Sequence, residues 1–287
     1  AAAEKSENNK SFKILSNESE KKNIFLKNVN EAKEYIKKGD IFQIVLSSQI
    51  IIESDYDPYD FYMELTEKNP SPYMFYFPTP YGTVIGSSPE ILLKIAHKQI
   101  FIAPIAGTRP RGRDPEEDKI LARELLNDDK ELAEHRMLID LARNDIGKFS
   151  SPGSVKVKNP MHVEYFQHVM HIVSDVYGEL ADGTDIFDVI STAFPAGTLS
   201  GAPKIRAMEI IAELELHKRN IYGGGIGFLH YNGNSQIAII IRTAFYKDKK
   251  YYIQSGAGIV YDSDPEKEYL EILHKRKSLT GILTDCK

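Results

Sequence analysis

Four glutamates carry the first chemical signal in this sequence. Glu131 and Glu134 stand three apart in the run Glu131-Leu-Ala-Glu134-His135-Arg-Met-Leu-Ile-Asp-Leu-Ala-Arg143-Asn144-Asp145-Ile-Gly147, and Glu268 and Glu271 repeat the spacing near the C-terminus. On a helix, Glu131 and Glu134 share a face with Leu138, Leu141 and Ala142, and Glu268 and Glu271 align with Ile272, Lys275, Leu279 and Ile282. Carboxylates in a stripe that ought to be apolar need a partner. Hard oxygen donors one helical turn apart suit a divalent cation such as Mg2+, bound directly or through water. Solvated faces with incidental acid are the plain alternative.

Other residues point toward an anionic ligand or toward proton transfer. His171 shares a strand face with Val169 and Val173; it titrates near neutrality and could move a proton, although a strand histidine is also often structural. Glu90 follows Ser87-Ser88-Pro89 at a strand entry. Burial there would raise its pKa and suit a general acid, with a simple loop carboxylate as the alternative. Gly197-Thr198-Leu199-Ser200-Gly201, Gly223-Gly224-Gly225 and Gly256-Ala257-Gly258 permit close backbone approach and leave N–H groups for an anion. Arg242, inside Ile239-Ile240-Ile241-Arg242-Thr243, reads as a buried guanidinium that needs a carboxylate or phosphate. Tight strand crossings and an internal salt bridge would explain the same residues. Together they suggest a small polyanionic substrate held by Arg242, backbone N–H groups and carboxylate-bound Mg2+. No Walker pattern or Gly-x-Gly-x-x-Gly after a strand supports a nucleotide, and one cysteine without a helical His pair argues against zinc.

The elements that must position these residues follow from periodicity and turn chemistry. Residues 1–23 are polar and aperiodic and read as a linker or tail; 24–287 read as one catalytic domain. Helices are predicted over 28–38, 60–68, 115–126, 131–147, 185–194 and 203–215, and after Asp264-Pro265. Strands are predicted at 41–52, 73–77, 83–85, 91–96, within 163–180, and at 222–228, 236–245 and 251–259; 101–110 reads as a strand running into a polar loop. The expected class is α+β, with large mixed or antiparallel sheets and peripheral helices. The chain has 287 residues, is 42% hydrophobic and carries a net charge of −5, with its Lys and Arg residues dispersed, which gives no footprint for nucleic acid. Its one cysteine, Cys286, rules out a disulfide framework and fits a reducing cytosol. With no signal peptide and no apolar run long enough for a bilayer, the expected setting is cytoplasmic and away from membranes.

Several segments resemble the chorismate-utilising enzymes, most closely the anthranilate synthase component I family. They are Gly39-Asp-Ile-Phe-Gln43-Ile-Val-Leu-Ser, Asn69-Pro-Ser-Pro-Tyr-Met-Phe75, Ser88-Pro-Glu90, Pro104-Ile-Ala-Gly-Thr-Arg-Pro-Arg-Gly112, the Glu131–Asp145 run, Val169-Met-His171, Ala196-Gly-Thr-Leu-Ser-Gly-Ala-Pro-Lys204, Gly256-Ala-Gly258 and Glu268-x-x-Glu271. The resemblance implies the fold of that family, with its active site in a cleft between sheet and helices. It also implies conversion of chorismate and ammonia to anthranilate and pyruvate in tryptophan biosynthesis, by a Mg2+-dependent carbon–oxygen lyase fed by a glutamine amidotransferase subunit (component II). By the same resemblance, Mg2+ is bound by Glu134 and Glu271 directly and by Glu131 and Glu268 through water. Glu90 is the general acid at the departing hydroxyl, and His171 belongs to the elimination step; Thr198 joins them as a catalytic residue. Gly107, Thr108, Tyr222, Arg242, Gly256, Ala257, Gly258 and Lys275 line the substrate site.

Two positions separate members of this superfamily. Relatives that add water carry lysine where Gln43 stands, and Gln cannot deprotonate water. Many aminodeoxychorismate synthases carry a candidate nucleophilic lysine where Ala106 stands. Both favour ammonia addition at C2, leaving aminodeoxychorismate synthase component I, or a non-catalytic chorismate-binding or assembly subunit, as alternatives. Pro72, Tyr73 and Met74 match half of a tryptophan inhibitor site. The Leu-Leu-Glu-Ser motif that supplies the other half is not found in this sequence, so the resemblance carries only half of that site.

Overall fold

The structure is a computed structural model describing residues 11–167 and 169–284. Residues 1–10 of the expected linker, and Cys286, lie outside the described residues. β1 (Phe12–Ile14) leads into α1 (Glu18–Lys37), where the Asn17 side chain accepts from Glu20 N–H and Glu18 and Glu20 occupy the first turn. The helix therefore begins inside the stretch read as a polar linker. A side-chain cap and acids at the positive end of the helix start it well before its apolar periodicity becomes visible.

β2 (Gln43–Ser54) precedes α2 (Pro58–Lys68), which has Asp57 as N-cap and Pro58 in its first turn. Five strands follow: β3 (Tyr73–Thr79), β4 (Gly82–Ser88), β5 (Ile91–Ala96), β6 (Gln99–Ile102) and β7 (Ile105–Pro110). Asp114 and Asp128 cap α3 (Pro115–Leu126) and α4 (Asp129–Gly147). β8 (Lys156–Tyr165) and β9 (Val169–Glu179) come before α5 (Ile186–Ala193), which opens with a capping box between Asp185 and Asp188. A 3-10 turn at Gly197–Leu199 and the two-residue β10 (Gly201–Ala202) lead to α6 (Lys204–Leu214). The chain closes with β11 (Gly225–Leu229), β12 (Ser235–Ile239), β13 (Thr243–Lys247), β14 (Lys250–Ile259) and α7 (Pro265–Thr284).

Two predictions fail at sheet level. The polar run 106–110 is strand rather than loop, because Ile105–Pro110 pairs with β9 and a distant strand satisfies its backbone. The apolar run 236–245 is two strands, broken at 240–242 where Arg242 takes φ 49°.

The chain forms two compact units, one from the described parts of 1–89, 210–218 and 241–287, the other from 90–209 and 219–240. In the first, an antiparallel sheet runs β1-β2-β14-β13-β4-β3. α2 and α7 cover it, bringing Phe61, Leu65, Leu279, Ile282 and Leu283 onto Ile52, Ile85, Tyr251 and Ile253. In the second, the antiparallel order is β11-β12-β5-β6-β9-β7, with β8 also paired to β9. Ala122 and Leu125 of α3 pack there on Met170 and Ile172. The expected α+β class is the one observed, with both sheets antiparallel.

Candidate active site

In the second unit, Glu90 stands at the entry to β5 with 9% of its surface exposed. Its carbonyl accepts from Ile239 N–H at 3.0 Å, and its Oε1 accepts from Thr198 Oγ1 at 2.8 Å. Thr198 rides on the 3-10 turn, 108 residues away in sequence. Both side chains line a pocket whose apolar wall includes Leu138, Leu141, Ala142 and Ile239 and whose second carboxyl group is Asp145. A carboxyl in such a wall can hand a proton to a leaving group without competition from bulk water.

The second group assembles where β7 meets β9. The β7–β9 register shifts between Ala106 and Thr108, and Gly107 there takes φ +65°. This turns the Gly107 carbonyl toward His171, whose Nδ1 lies 2.8 Å from that oxygen and 3.1 Å from Thr108 Oγ1. A carbonyl only accepts, so Nδ1 carries the proton and Nε2 is the basic nitrogen of the neutral ring. Phe166 meets the imidazole edge-on at 5.5 Å. A φ of +65° favours glycine at Gly107, and a Cβ there would lie a tight 3.1 Å from Glu131 Oε2.

The α4 glutamates sit at the edge of the buried stripe rather than within it. His135, Leu138, Ile139, Ala142, Asp145 and Ile146 are buried, whereas Glu131 and Glu134 are half-buried. Arg109 bridges Asp128 at 2.8 Å and Glu131 at 3.3 Å. Tyr222 is half-buried beneath the Arg219 guanidinium, 5.7 Å from the ring centroid.

In the first unit, Lys275 Nζ donates to the Gly256 carbonyl at 2.9 Å and pairs with Glu271 at 2.5 Å. Gly256, Ala257 and Gly258 do not form an open loop. They lie in β14 opposite Ser47, Leu46 and Val45 of β2. Glu271 is exposed and Glu268 half-buried; the buried stripe of α7 runs through Tyr269, Ile272, Arg276, Leu279 and Ile282. Arg242 is half-buried at the strand break rather than buried within a strand, and its carbonyl accepts from Ser87 N–H at 3.1 Å. Gln43 is buried at the start of β2. Of Pro72, Tyr73 and Met74, Met74 packs into the core of this unit, Tyr73 is half-buried and Pro72 is exposed. Among the described residues, no three His, Cys, Asp or Glu side chains converge as a ready-made metal cluster.

Three buried polar features went unread in the sequence. Asp145 pairs with Lys204 at 2.9 Å, and burial raises its pKa against the pull of that lysine. Arg276 is 4% exposed and bonded to Glu18. His135 has no exposed surface and meets Ser174 Oγ at 2.7 Å. Asp145 and His135 lie within the Glu131–Gly147 run, but their partners are far away in sequence, so only the fold could have found them.

Residues 1–281 match the family described as chorismate binding enzyme. The chain belongs to the chorismate binding enzyme family. It is 52% identical over 262 residues to anthranilate synthase component 1 of Acetivibrio thermocellus, covering 91% of this chain and 53% of that relative. To the protein of the same name from Aquifex aeolicus (strain VF5) it is 54% identical over 251 residues, covering 88% of this chain and 51% of the relative. The crystal structure of anthranilate synthase component I from Streptococcus pneumoniae TIGR4 superposes with a TM-score of 0.87 at 44% identity, covering 95% of this chain and 60% of the other. The chain spans about half the length of the curated relatives it matches. Among the described residues, no helix is long and apolar enough to cross a membrane.

Proposed function

We propose that this chain carries the anthranilate synthase component I reaction, chorismate and ammonia giving anthranilate, pyruvate and water. The observation that carries the reading is identity above one half, over about nine-tenths of the chain, to two proteins named anthranilate synthase component 1. Gln43 and Ala106 support it, since neither can act as a water-activating base or a covalent nucleophile.

In this reading Glu90, oriented by Thr198, gives its proton to the C4 hydroxyl as ammonia bonds to C2 and water departs. His171, its Nδ1–H directed at the Gly107 carbonyl, presents Nε2 to take the C2 proton as pyruvate is eliminated and the ring becomes aromatic. Gly107, Thr108, Tyr222, Arg242, the Gly256–Gly258 segment and Lys275 orient the substrate carboxylates and ring. The all-oxygen donor pairs Glu131–Glu134 and Glu268–Glu271 fit Mg2+ by chemistry, since that ion binds a few carboxylates together with water and a substrate anion. Bound there, Mg2+ would neutralise the ring carboxylate as a Lewis acid. Arg109 pairs with Glu131 and Lys275 with Glu271, which holds those two carboxylates in place. Ammonia is supplied by a glutamine amidotransferase subunit, and residues 24–287 act as the catalytic domain.

The test is product identification. The purified chain with chorismate, MgCl2 and an ammonium salt should release fluorescent anthranilate and stoichiometric pyruvate. Accumulation of 4-amino-4-deoxychorismate would move the chain to the aminodeoxychorismate synthases, and binding of chorismate without turnover would make it an assembly or binding subunit.

A further inference from the structure

Lys204, the first residue of α6, lies beside the candidate site without belonging to it. Its Nζ donates to Asp145 Oδ2 at 2.9 Å, to the Thr192 carbonyl at 2.7 Å and to the Ala193 carbonyl at 3.5 Å. Thr192 and Ala193 form the last turn of α5, whose terminal carbonyls lack helical partners and gather the negative end of the helix dipole. An ammonium group is well suited to that position.

The geometry has a consequence for the segment 194–203. It leaves α5 after Ala193, carries Thr198 in its middle and ends at Lys204, so one side chain ties its two ends together. Thr192 Oγ1 donates to the Asp145 carbonyl at 2.8 Å, so α4 and α5 anchor the same knot. The middle of the segment is pinned separately. Arg219 Nη1 donates to the Leu199 carbonyl at 2.5 Å, Ser200 Oγ donates to the Ala196 carbonyl at 2.9 Å, and Gly197 lies so close to Leu141 that a Cβ would run into its Cδ2. Asp145, Thr198 and Glu90 line one pocket. The Lys204 and Asp145 side chains are only 14% and 10% exposed. An ion pair buried to that degree adds little stability over apolar packing of the same volume. What it adds is direction.

We propose that Lys204 is a positioning residue that, with Asp145, closes the segment 194–203 and so holds the Thr198 hydroxyl against Glu90. It acts through Thr198 and touches no reacting atom; the kinetic part of the test rests on the proposed reaction. A double-mutant cycle of Lys204→Met and Thr198→Val reads the coupling. Each single variant should lower kcat about tenfold with KM for chorismate changed less than about twofold, and the double variant should be no slower than Thr198→Val alone. Thr198 donates to Glu90 and favours its ionised form, so both single variants should move the upper limb of the kcat–pH profile upward by the same amount. A merely structural lysine would leave that limb in place, and its kcat loss would multiply with that of Thr198→Val.

Hydrogen exchange of peptides covering 194–203, read by mass spectrometry, needs no activity. It should be about tenfold faster in Lys204→Met, with β5 peptides unchanged. Should Lys204→Met not fold, Asp145→Asn and Lys204→Arg take its place in both measurements. Unchanged exchange in a folded variant, or kcat losses that multiply, would overturn the proposal. A wild-type chain that does not convert chorismate with ammonium would instead defeat the functional reading, and the exchange measurement would still decide the role of Lys204.

Discussion

His135 should make this protein acid-sensitive in a way that one substitution removes. The imidazole is fully buried on α4, bonded through Nε2 to Ser174 Oγ, and its Nδ1 has no hydrogen-bond partner among the described residues. Burial, with a smaller contribution from His162, lowers its pKa from 6.5 to about 4. The sign follows from linkage. The folded state keeps the ring neutral where the unfolded chain would already protonate it, so the contribution is complete above pH 6.5 and is lost as pH falls toward 4. At about 1.4 kcal/mol per pH unit, that interval corresponds to about 3 kcal/mol. Gln at this position keeps a donor toward Ser174 without a titrating group. Urea unfolding followed by tyrosine fluorescence is the assay, since the chain has 16 Tyr and no Trp. Between pH 7 and 4.5 the wild type should lose about 2–3 kcal/mol more than His135→Gln. Parallel stability curves for the two proteins would refute the reasoning.

Other perturbations test other joints. Glu90→Gln should abolish turnover in stopped-time product assays while leaving chorismate binding measurable by calorimetry, because the amide keeps the shape and loses the proton. His171→Ala should let 2-amino-2-deoxyisochorismate accumulate on chromatography, and a normal anthranilate yield would remove His171 from the second step. Glu134→Gln and Glu271→Gln should each raise the Mg2+ concentration needed for half-maximal activity by more than about tenfold, with EDTA abolishing activity in the wild type. Gly227→Ala should cost about 3 kcal/mol or more in thermal melts, because a Cβ there would meet the Gln236 carbonyl across the β11–β12 pair.

α3 was legible at both ends, since Asp114-Pro115 is a cap and first-turn pair and Leu126 closes an apolar stripe. β5 was equally plain as a short apolar run behind Pro89. Around Arg242 an unbroken apolar run predicts an unbroken strand; nothing local announces a residue at φ 49° that separates β12 from β13. In the segment 106–110 polarity suggests a loop, whereas a strand's hydrogen bonds depend on what lies alongside it.

The sequence by itself determined the local elements, the family and the identities at Gln43 and Ala106, because capping, periodicity and motif residues are written in neighbouring positions. It also singled out the Glu131–Gly147 helix, but for its glutamates. Tertiary structure decided which groups meet: Thr198 with Glu90, Thr108 and the Gly107 carbonyl with His171, Lys204 with Asp145. It placed the α4 glutamates at the rim of the buried stripe and put His135 and Asp145 inside it. A side chain's chemistry depends on its neighbours and its water, and those are set by contacts between residues that the sequence keeps 59 to 108 positions apart.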